Sequence, residues 1–146
     1  MNASIFFLLN LLSTWYLIGL IWMVQVVHYK MFDRVGAAEF VQYEVDHNRL
    51  ITPIVAPPML IELTTALALL VSAPPGFPRW AAWIGLIMIA IVWLTTLSVS
   101  VPCHKRLVKG FDPDAYRRLV NTNWIRTVLW TVRGIFMGYF ALRLTT

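Results

Sequence analysis

The chain has 146 residues, of which 59% are hydrophobic and 13% are charged, and its mean hydropathy is +0.68. This composition excludes an ordinary water-soluble domain and is typical of an integral membrane protein. The formal net charge of +5 does not indicate a nucleic-acid partner, because in a membrane protein the placement of charge matters more than its sum. A single cysteine, Cys103, excludes an intramolecular disulfide framework.

Four apolar segments follow one another along the chain, each about 20 residues long, which is enough to cross a ~30 Å hydrocarbon core as a helix. We predict helices at about 5–27, 51–72, 81–101 and 124–142, with longer connections at 28–50 and 102–123. Short connections make consecutive helices antiparallel neighbours. The sequence therefore predicts one all-α domain over residues 1–146, a four-helix transmembrane bundle that can be described more finely as two packed helical hairpins.

Basic residues are concentrated in the two longer connections. The first connection contains Lys30, Arg34 and Arg49, and the second contains five more: Lys105, Arg106, Lys109, Arg117 and Arg118. By the positive-inside rule we expect both connections in the cytoplasm and both termini outside, in the inner membrane of a bacterium. The first segment is expected to stay as a helix rather than act as a cleaved signal peptide, because no Lys or Arg precedes it.

Local signals refine the helix boundaries. Asp112 followed by Pro113 reads as an N-cap and first helical position, which predicts a helix over Asp114 to Asn121. The prolines of the second segment, Pro53, Pro57 and Pro58, predict a kink or partial unwinding of its first half.

Two charges are predicted deep in the membrane. Glu62 lies roughly 20 Å along the second segment, and Arg133 lies roughly 15 Å into the fourth. An unpaired charge at that depth is costly, so we expect the two side chains to form an ion pair across the bundle. The alternative is a protonated Glu62 that is hydrogen-bonded to nearby threonines.

Helical phase, at about 100° per residue, groups polar residues on inward faces of three helices. These faces hold Asn123, Arg126, Trp130 and Arg133 on the fourth helix, Trp93, Thr96, Ser100 and His104 on the third, and Thr14, Ile18, Trp22 and Gln25 on the first, with His28 and Tyr29 at its end. They predict a polar cavity that opens toward the cytoplasm, with Glu62 and Arg133 at its floor. Trp22, Trp93 and Trp130 would wall an aromatic or quinone-like ligand, the alternative being simple core packing.

All three histidines are predicted at the cytoplasmic mouth of this cavity. His28 ends the first helix, His47 precedes the second, and His104 follows the third, while Glu44 lies three residues before His47. Imidazole and carboxylate are ligands of Fe, Cu and Zn, so the pattern predicts one transition metal, or a haem between His28 and His104. The alternative is that the histidines only cap helix ends.

Three stretches, "QVVHYKMFDRV", "DHNRLITPIVAPPMLIE" and "PCHKRLVKGFD…NWIRT", cover the cytoplasmic half of all four helices. In them the chain resembles small four-helix bacterial membrane proteins of undefined function and the anthrone-oxygenase-like family. That resemblance implies oxidation of a polycyclic aromatic substrate. The segment "DHNRLITP" also resembles the four-helix membrane enzymes of eicosanoid and glutathione metabolism at His47 and Asn48, although the glutamate of their motif is missing from its register.

The favoured function is a metal- or haem-dependent membrane oxidoreductase that acts on a lipophilic small molecule, with membrane lipid as its surroundings. In it the catalytic residues are Glu62, Arg133, Arg126 and Gln25, the ligand-binding residues are Trp22, Trp93, Trp130, Tyr29 and Asn123, and the metal ligands are His28, His47, His104 and Glu44. The alternatives are a proton- or substrate-binding transport component and a glutathione-type membrane transferase. A homo-oligomer is expected for the transport alternative, with Gly134-x-x-x-Gly138 and Gly19 as close-packing positions.

Overall fold

The computed structural model describes residues 3–145, and every regular element within that range is helical. The first helix spans Ala3–Arg34, the second Phe40–Val71, the third Arg79–Leu107 and the fourth Pro113–Thr145. The first and third helices each pack against the second and the fourth, so the four form a closed ring. The predicted all-α four-helix bundle is confirmed.

Three of the helices are long and apolar enough to cross a membrane: the first, the second and the third. The second has 32 residues, about 48 Å at 1.5 Å per residue, so it exceeds a ~30 Å hydrocarbon core. The fourth helix does not reach the same apolar composition, since it carries Arg126 and Arg133 in its middle. Both arginines are buried inside the bundle.

The helices extend well into the predicted connections. Residues 40–50 begin the second helix, and Asp112 caps the fourth by accepting the backbone N–H groups of Asp114 and Ala115, each at 3.0 Å. The hydrogen bond from Ala115, together with the Arg106 guanidinium, holds the pKa of the Asp112 carboxyl below its ordinary value. The predicted cap and the helix after it are confirmed, and the connections are shorter than predicted.

The backbone departs from regular α-helix in the first and third helices, not in the proline-containing second. The second helix continues through Pro53, Pro57 and Pro58, so the predicted unwinding is not observed. The first and third helices each contain a π-helical turn, at Val24–His28 and Thr96–Ser100. Such turns insert a residue into the helix and often occur at functional sites.

A glycine on the fourth helix allows the first helix to approach closely. A Cβ added at Gly134 would collide with Ile18 Cδ1 and lie 3.6 Å from Trp15, whereas no atom lies within 4 Å of a Cβ added at Gly138 or Gly19. Gly134 is therefore a packing position within the chain, while Gly138 and Gly19 are open on this surface.

We predict opposite shifts for two glycine substitutions on this helix. Gly138→Ala should raise the thermal midpoint in detergent, because alanine is favoured over glycine by about 1 kcal/mol inside a helix. The thermal midpoint of Gly134→Ala should be lower than that of Gly138→Ala, because Ile18 must move aside to make room for the added methyl group. Equal midpoints for the two variants, measured under identical conditions, would contradict the close approach at Gly134.

Candidate functional site

A buried ion pair lies in the middle of the bundle. Arg133 donates to Glu62 with 2.9 Å between Nη1 and Oε1, and both residues are 1% exposed. Thr14 donates to the same carboxylate oxygen at 2.7 Å, and Trp130 donates its indole N–H to the other at 3.1 Å. The predicted pairing of Glu62 with Arg133 is confirmed.

The network around this pair reaches all four helices. Asn10, on the first helix, accepts from Arg133 at 2.6 Å and donates to the backbone carbonyl of Glu62 at 2.8 Å. The Arg133 Nε–H donates to the carbonyl of Gly85, on the third helix, at 3.2 Å. The sequence analysis missed Asn10, although an asparagine one helical turn before Thr14 in an apolar segment was the available signal.

A cavity of about 270 Å³ lies beside this network, between it and the histidines. Most of its wall is apolar, and its polar lining residues are Tyr29, His47, Asn48, Thr52, Trp93, Thr96, Ser100, His104, Arg126 and Trp130. Among the described residues that line the cavity, the exposed ones are Thr52 on the second helix and Val101 on the third. The cavity therefore opens sideways between these two helices, where a bilayer would surround the bundle.

The structure corrects the predicted floor of the cavity. Glu62 and Arg133 do not line it, whereas Trp130 does, with its indole nitrogen directed to Glu62. The ion pair thus lies behind Trp130. Within residues 3–145 every polar atom of the pair's side chains that is fully buried has a hydrogen-bond partner, so the contacts of the pair are structural, and neither residue lines this cavity.

Of the three tryptophans predicted to wall a ligand, Trp93 and Trp130 line the cavity. Trp22 does not: it is 40% exposed, donates to Thr131 at 3.0 Å and packs edge-on against Trp124. The buried stripe of the first helix runs through Leu17 and Ile21, so Trp22 falls just outside it.

A second polar layer holds Arg126 in the cavity wall. Asn123 accepts from Arg126 and donates to Gln25 at 2.6 Å, and Gln25 in turn donates to the carbonyl of Val120 at 3.2 Å. Arg126 also donates to Thr96 at 3.3 Å. Gln25 and Asn123 are buried but do not line the cavity, so they position Arg126 and would not touch a ligand there.

The three histidines meet at one end of the cavity. His28 Nε2 and His47 Nδ1 are 2.7 Å apart, and the rings of His47 and His104 stack with their centroids 5.3 Å apart. His104 Nδ1 lies 2.5 Å from Glu44 Oε1, and its Nε2 lies 3.2 Å from the Tyr29 hydroxyl. We call these five residues the histidine cluster. A carboxylate on Nδ1 favours a proton there, which leaves Nε2 to accept from Tyr29.

The histidine cluster is joined by hydrogen bonds as it stands. Within residues 3–145, no group of three or more His, Cys, Asp or Glu side chains is arranged to hold a metal ion. His28 Nε2, His47 Nδ1 and Glu44 Oε1 are occupied by the contacts just described, whereas Glu44 Oε2 has no hydrogen-bond partner among the described residues. The predicted metal ligands are therefore brought together, but not in a coordinating geometry.

Four buried side-chain atoms have no hydrogen-bond partner among the described residues: Glu44 Oε2, Trp93 Nε1, Ser100 Oγ and Arg126 Nε. Three of them belong to residues that line the cavity. Buried polar atoms are rarely left unpaired, because each one costs free energy. These three atoms therefore belong to residues of the cavity wall whose hydrogen-bonding capacity is not met by the described residues.

Fold and site together define a helical bundle of the membrane type, with a laterally open cavity bordered by a histidine cluster. Comparison of the chain with family models, curated proteins and solved structures yields no match. The resemblance to the anthrone-oxygenase-like family therefore stays a prediction.

We predict that breaking the buried ion pair destabilises the bundle strongly. Glu62→Leu should lower the free energy of unfolding by about 3–5 kcal/mol, because it leaves the Arg133 charge buried and uncompensated. Replacing both partners, Glu62→Leu with Arg133→Met, should recover much of that loss. The measurement is equilibrium unfolding in detergent, with Asp33→Leu, an exposed carboxylate, as the control. A Glu62→Leu variant as stable as the control would contradict the structural role.

Proposed function

We propose that the protein is a membrane oxidoreductase that binds a lipophilic or aromatic small molecule in the cavity and reacts with it beside the histidine cluster. The observation that carries the proposal is that Tyr29, His47 and His104 line the same cavity as Trp93 and Trp130. An apolar pocket that converges on a few titratable groups is the usual form of a small-molecule active site.

The histidine cluster offers a route for a proton. Tyr29 lines the cavity and its hydroxyl contacts His104, whose opposite nitrogen contacts Glu44, a carboxylate that is 0% exposed. A proton released by a bound molecule can pass from Tyr29 to His104 and on to Glu44. In this assignment Tyr29 and His104 are the acid–base groups, and Glu44 orients His104.

A transition metal belongs to the same proposal. His28, His47, His104 and Glu44 supply three imidazoles and one carboxylate from three helices, a donor set that suits Fe, Cu or Zn. Bound Fe or Cu would supply the electron-transfer chemistry of an oxidoreductase. Binding would require these side chains to rearrange, because the described residues contain no coordinating group. A metal on either nitrogen of His104 would also break that ring's contact with Tyr29 or with Glu44.

The proposed location is the bacterial inner membrane, with both termini outside. The charge asymmetry supports this orientation: the ends of the helices at the histidine cluster carry Lys105, Arg106 and Lys109, and the opposite end carries Arg79 and Arg143. The cavity would then open within the cytoplasmic half of the bilayer, where a lipophilic molecule can enter from the lipid.

We predict that protein purified in detergent from metal-replete cells contains a nearly stoichiometric transition metal, and that His47→Ala loses it. Elemental analysis with an absorption spectrum of the same sample makes the measurement, and a Soret band would identify the cofactor as haem. Asp46→Asn is the matched control, since its carboxylate lies one residue from His47 but bonds to Arg49 and Gln42. Metal-free wild-type protein would overturn the metal-dependent reaction.

We predict opposite labelling of cysteines introduced at the two ends of the bundle, in a Cys103→Ser background. Ser72→Cys should react with a membrane-impermeant maleimide in intact cells, while Lys109→Cys should react only after the cells are permeabilised. Ser72 and Lys109 are both exposed, so neither position is hidden within the protein. The reverse pattern would contradict the orientation.

A further inference from the structure

The two buried arginines of the fourth helix differ in whether a carboxylate balances their charge. Arg133 has Glu62 as its counter-ion at 2.9 Å. Arg126 is also buried, at 6% exposed, but no carboxylate of the described residues forms an ion pair with it. Its partners are neutral side chains: those of Asn123 and Thr96, and the hydroxyl of Tyr29. A guanidinium stays charged in a protein, so its burial without an opposite charge is unfavourable.

The position of Arg126 indicates where a counter-ion would lie. Arg126 lines the cavity, and its Nε is buried without a partner. Trp93 Nε1 and Ser100 Oγ, on the facing third helix, line the same cavity and also lack partners. Two of these three groups can only donate a hydrogen bond, and the serine can do so as well. The wall of the cavity therefore includes one positive charge without an ion-pair partner and three polar groups without a hydrogen-bond partner among the described residues.

The rest of the wall limits the kind of anion. Leucine, isoleucine, valine and methionine side chains make up most of the remaining lining: Leu17, Leu20, Ile21, Val24, Val55 and Met59. The opening between the second and third helices leads to the bilayer. A volume of about 270 Å³ is near the lower end for small-molecule pockets, which suits one or two fused rings or a short chain.

We propose that the ligand of this cavity is a lipophilic molecule that carries a single oxyanion, a carboxylate or an acidic phenolate. Its oxygens accept hydrogen bonds from Arg126, Trp93 and Ser100, and its negative charge supplies the missing counter-ion. The inference rests on the proposed function only in that both use the same cavity. It adds the charge of the molecule and the residues that recognise it, and Arg126 is thereby a specificity-determining residue.

The test compares two probes that differ in charge and little in shape: 2-naphthoate and its neutral methyl ester. Binding is measured by titration calorimetry on protein in phosphatidylcholine nanodiscs, with empty nanodiscs subtracting the partition into lipid. We expect the wild type to bind naphthoate at least tenfold more tightly than the ester, and Arg126→Gln to lose this preference. Arg117→Gln, an exposed arginine of the same helix, should retain it.

Equal affinity of the wild type for both probes would overturn the proposal, as would an unchanged preference in Arg126→Gln. If Arg126→Gln fails to fold, Trp93→Phe serves instead, because it removes the indole N–H donor and keeps an aromatic, although smaller, ring at this position. It should weaken naphthoate binding severalfold, and unchanged affinity there also overturns the proposal.

Repeating the titrations on chelator-treated protein separates this inference from the metal-dependent reaction. Naphthoate preference in metal-free protein supports the anion site even if the oxidoreductase proposal fails. Metal-loaded protein without the preference refutes the anion site and leaves the oxidoreductase proposal standing.

Discussion

The ion pair between Glu62 and Arg133 is the constraint on which the bundle depends. Neither charge can remain alone in an apolar interior, so each side chain must find its partner when the helices pack. The groups that satisfy the remaining hydrogen-bonding capacity come from three helices, Asn10 and Thr14 from the first, Gly85 from the third and Trp130 from the fourth, while Glu62 itself lies on the second. Rotation or sliding of any one helix would break one of these contacts, which sets the rotation of all four.

This network also shapes the cavity. Trp130 donates to Glu62 on one side and lines the cavity on the other, so the hydrogen bond that completes the ion pair also holds the cavity floor in place. At the opposite end, the histidine cluster joins the first three helices through side chains far apart in the chain, His104 and Glu44 being one such contact. The cavity therefore lies between the ion-pair network, which has a structural role, and the histidine cluster, which has exchangeable protons.

The two buried arginines of the fourth helix differ in their partners: Arg133 stabilises the fold, and Arg126 is proposed to bind a ligand. Arg133 has a counter-ion, and its donors meet acceptors on the neighbouring helices, which is what a side chain that stabilises a fold requires. Arg126 is also buried, at 6% exposed against 1% for Arg133, but it has neutral partners, and its Nε has no hydrogen-bond partner among the described residues. Asn123 accepts a hydrogen bond from Arg126 and donates one to Gln25, so these two residues orient Arg126. A charge that is held in place but left unbalanced is suited to a ligand that supplies the opposite charge.

Composition and periodicity alone determined the helical bundle, the pairing of Glu62 with Arg133 and the inward faces that hold Arg126, Trp130 and His104. The physical reason is that an apolar solvent forces polar side chains inward and charges into pairs, whatever the details of packing. Only the tertiary structure decided that Trp22 faces outward, that Trp130 separates the ion pair from the cavity and that Asn10 completes the network. Helical phase places a residue only to within a fraction of a turn. His104 and Glu44 are 60 positions apart in sequence, so their contact depends on how the second and third helices are rotated against each other.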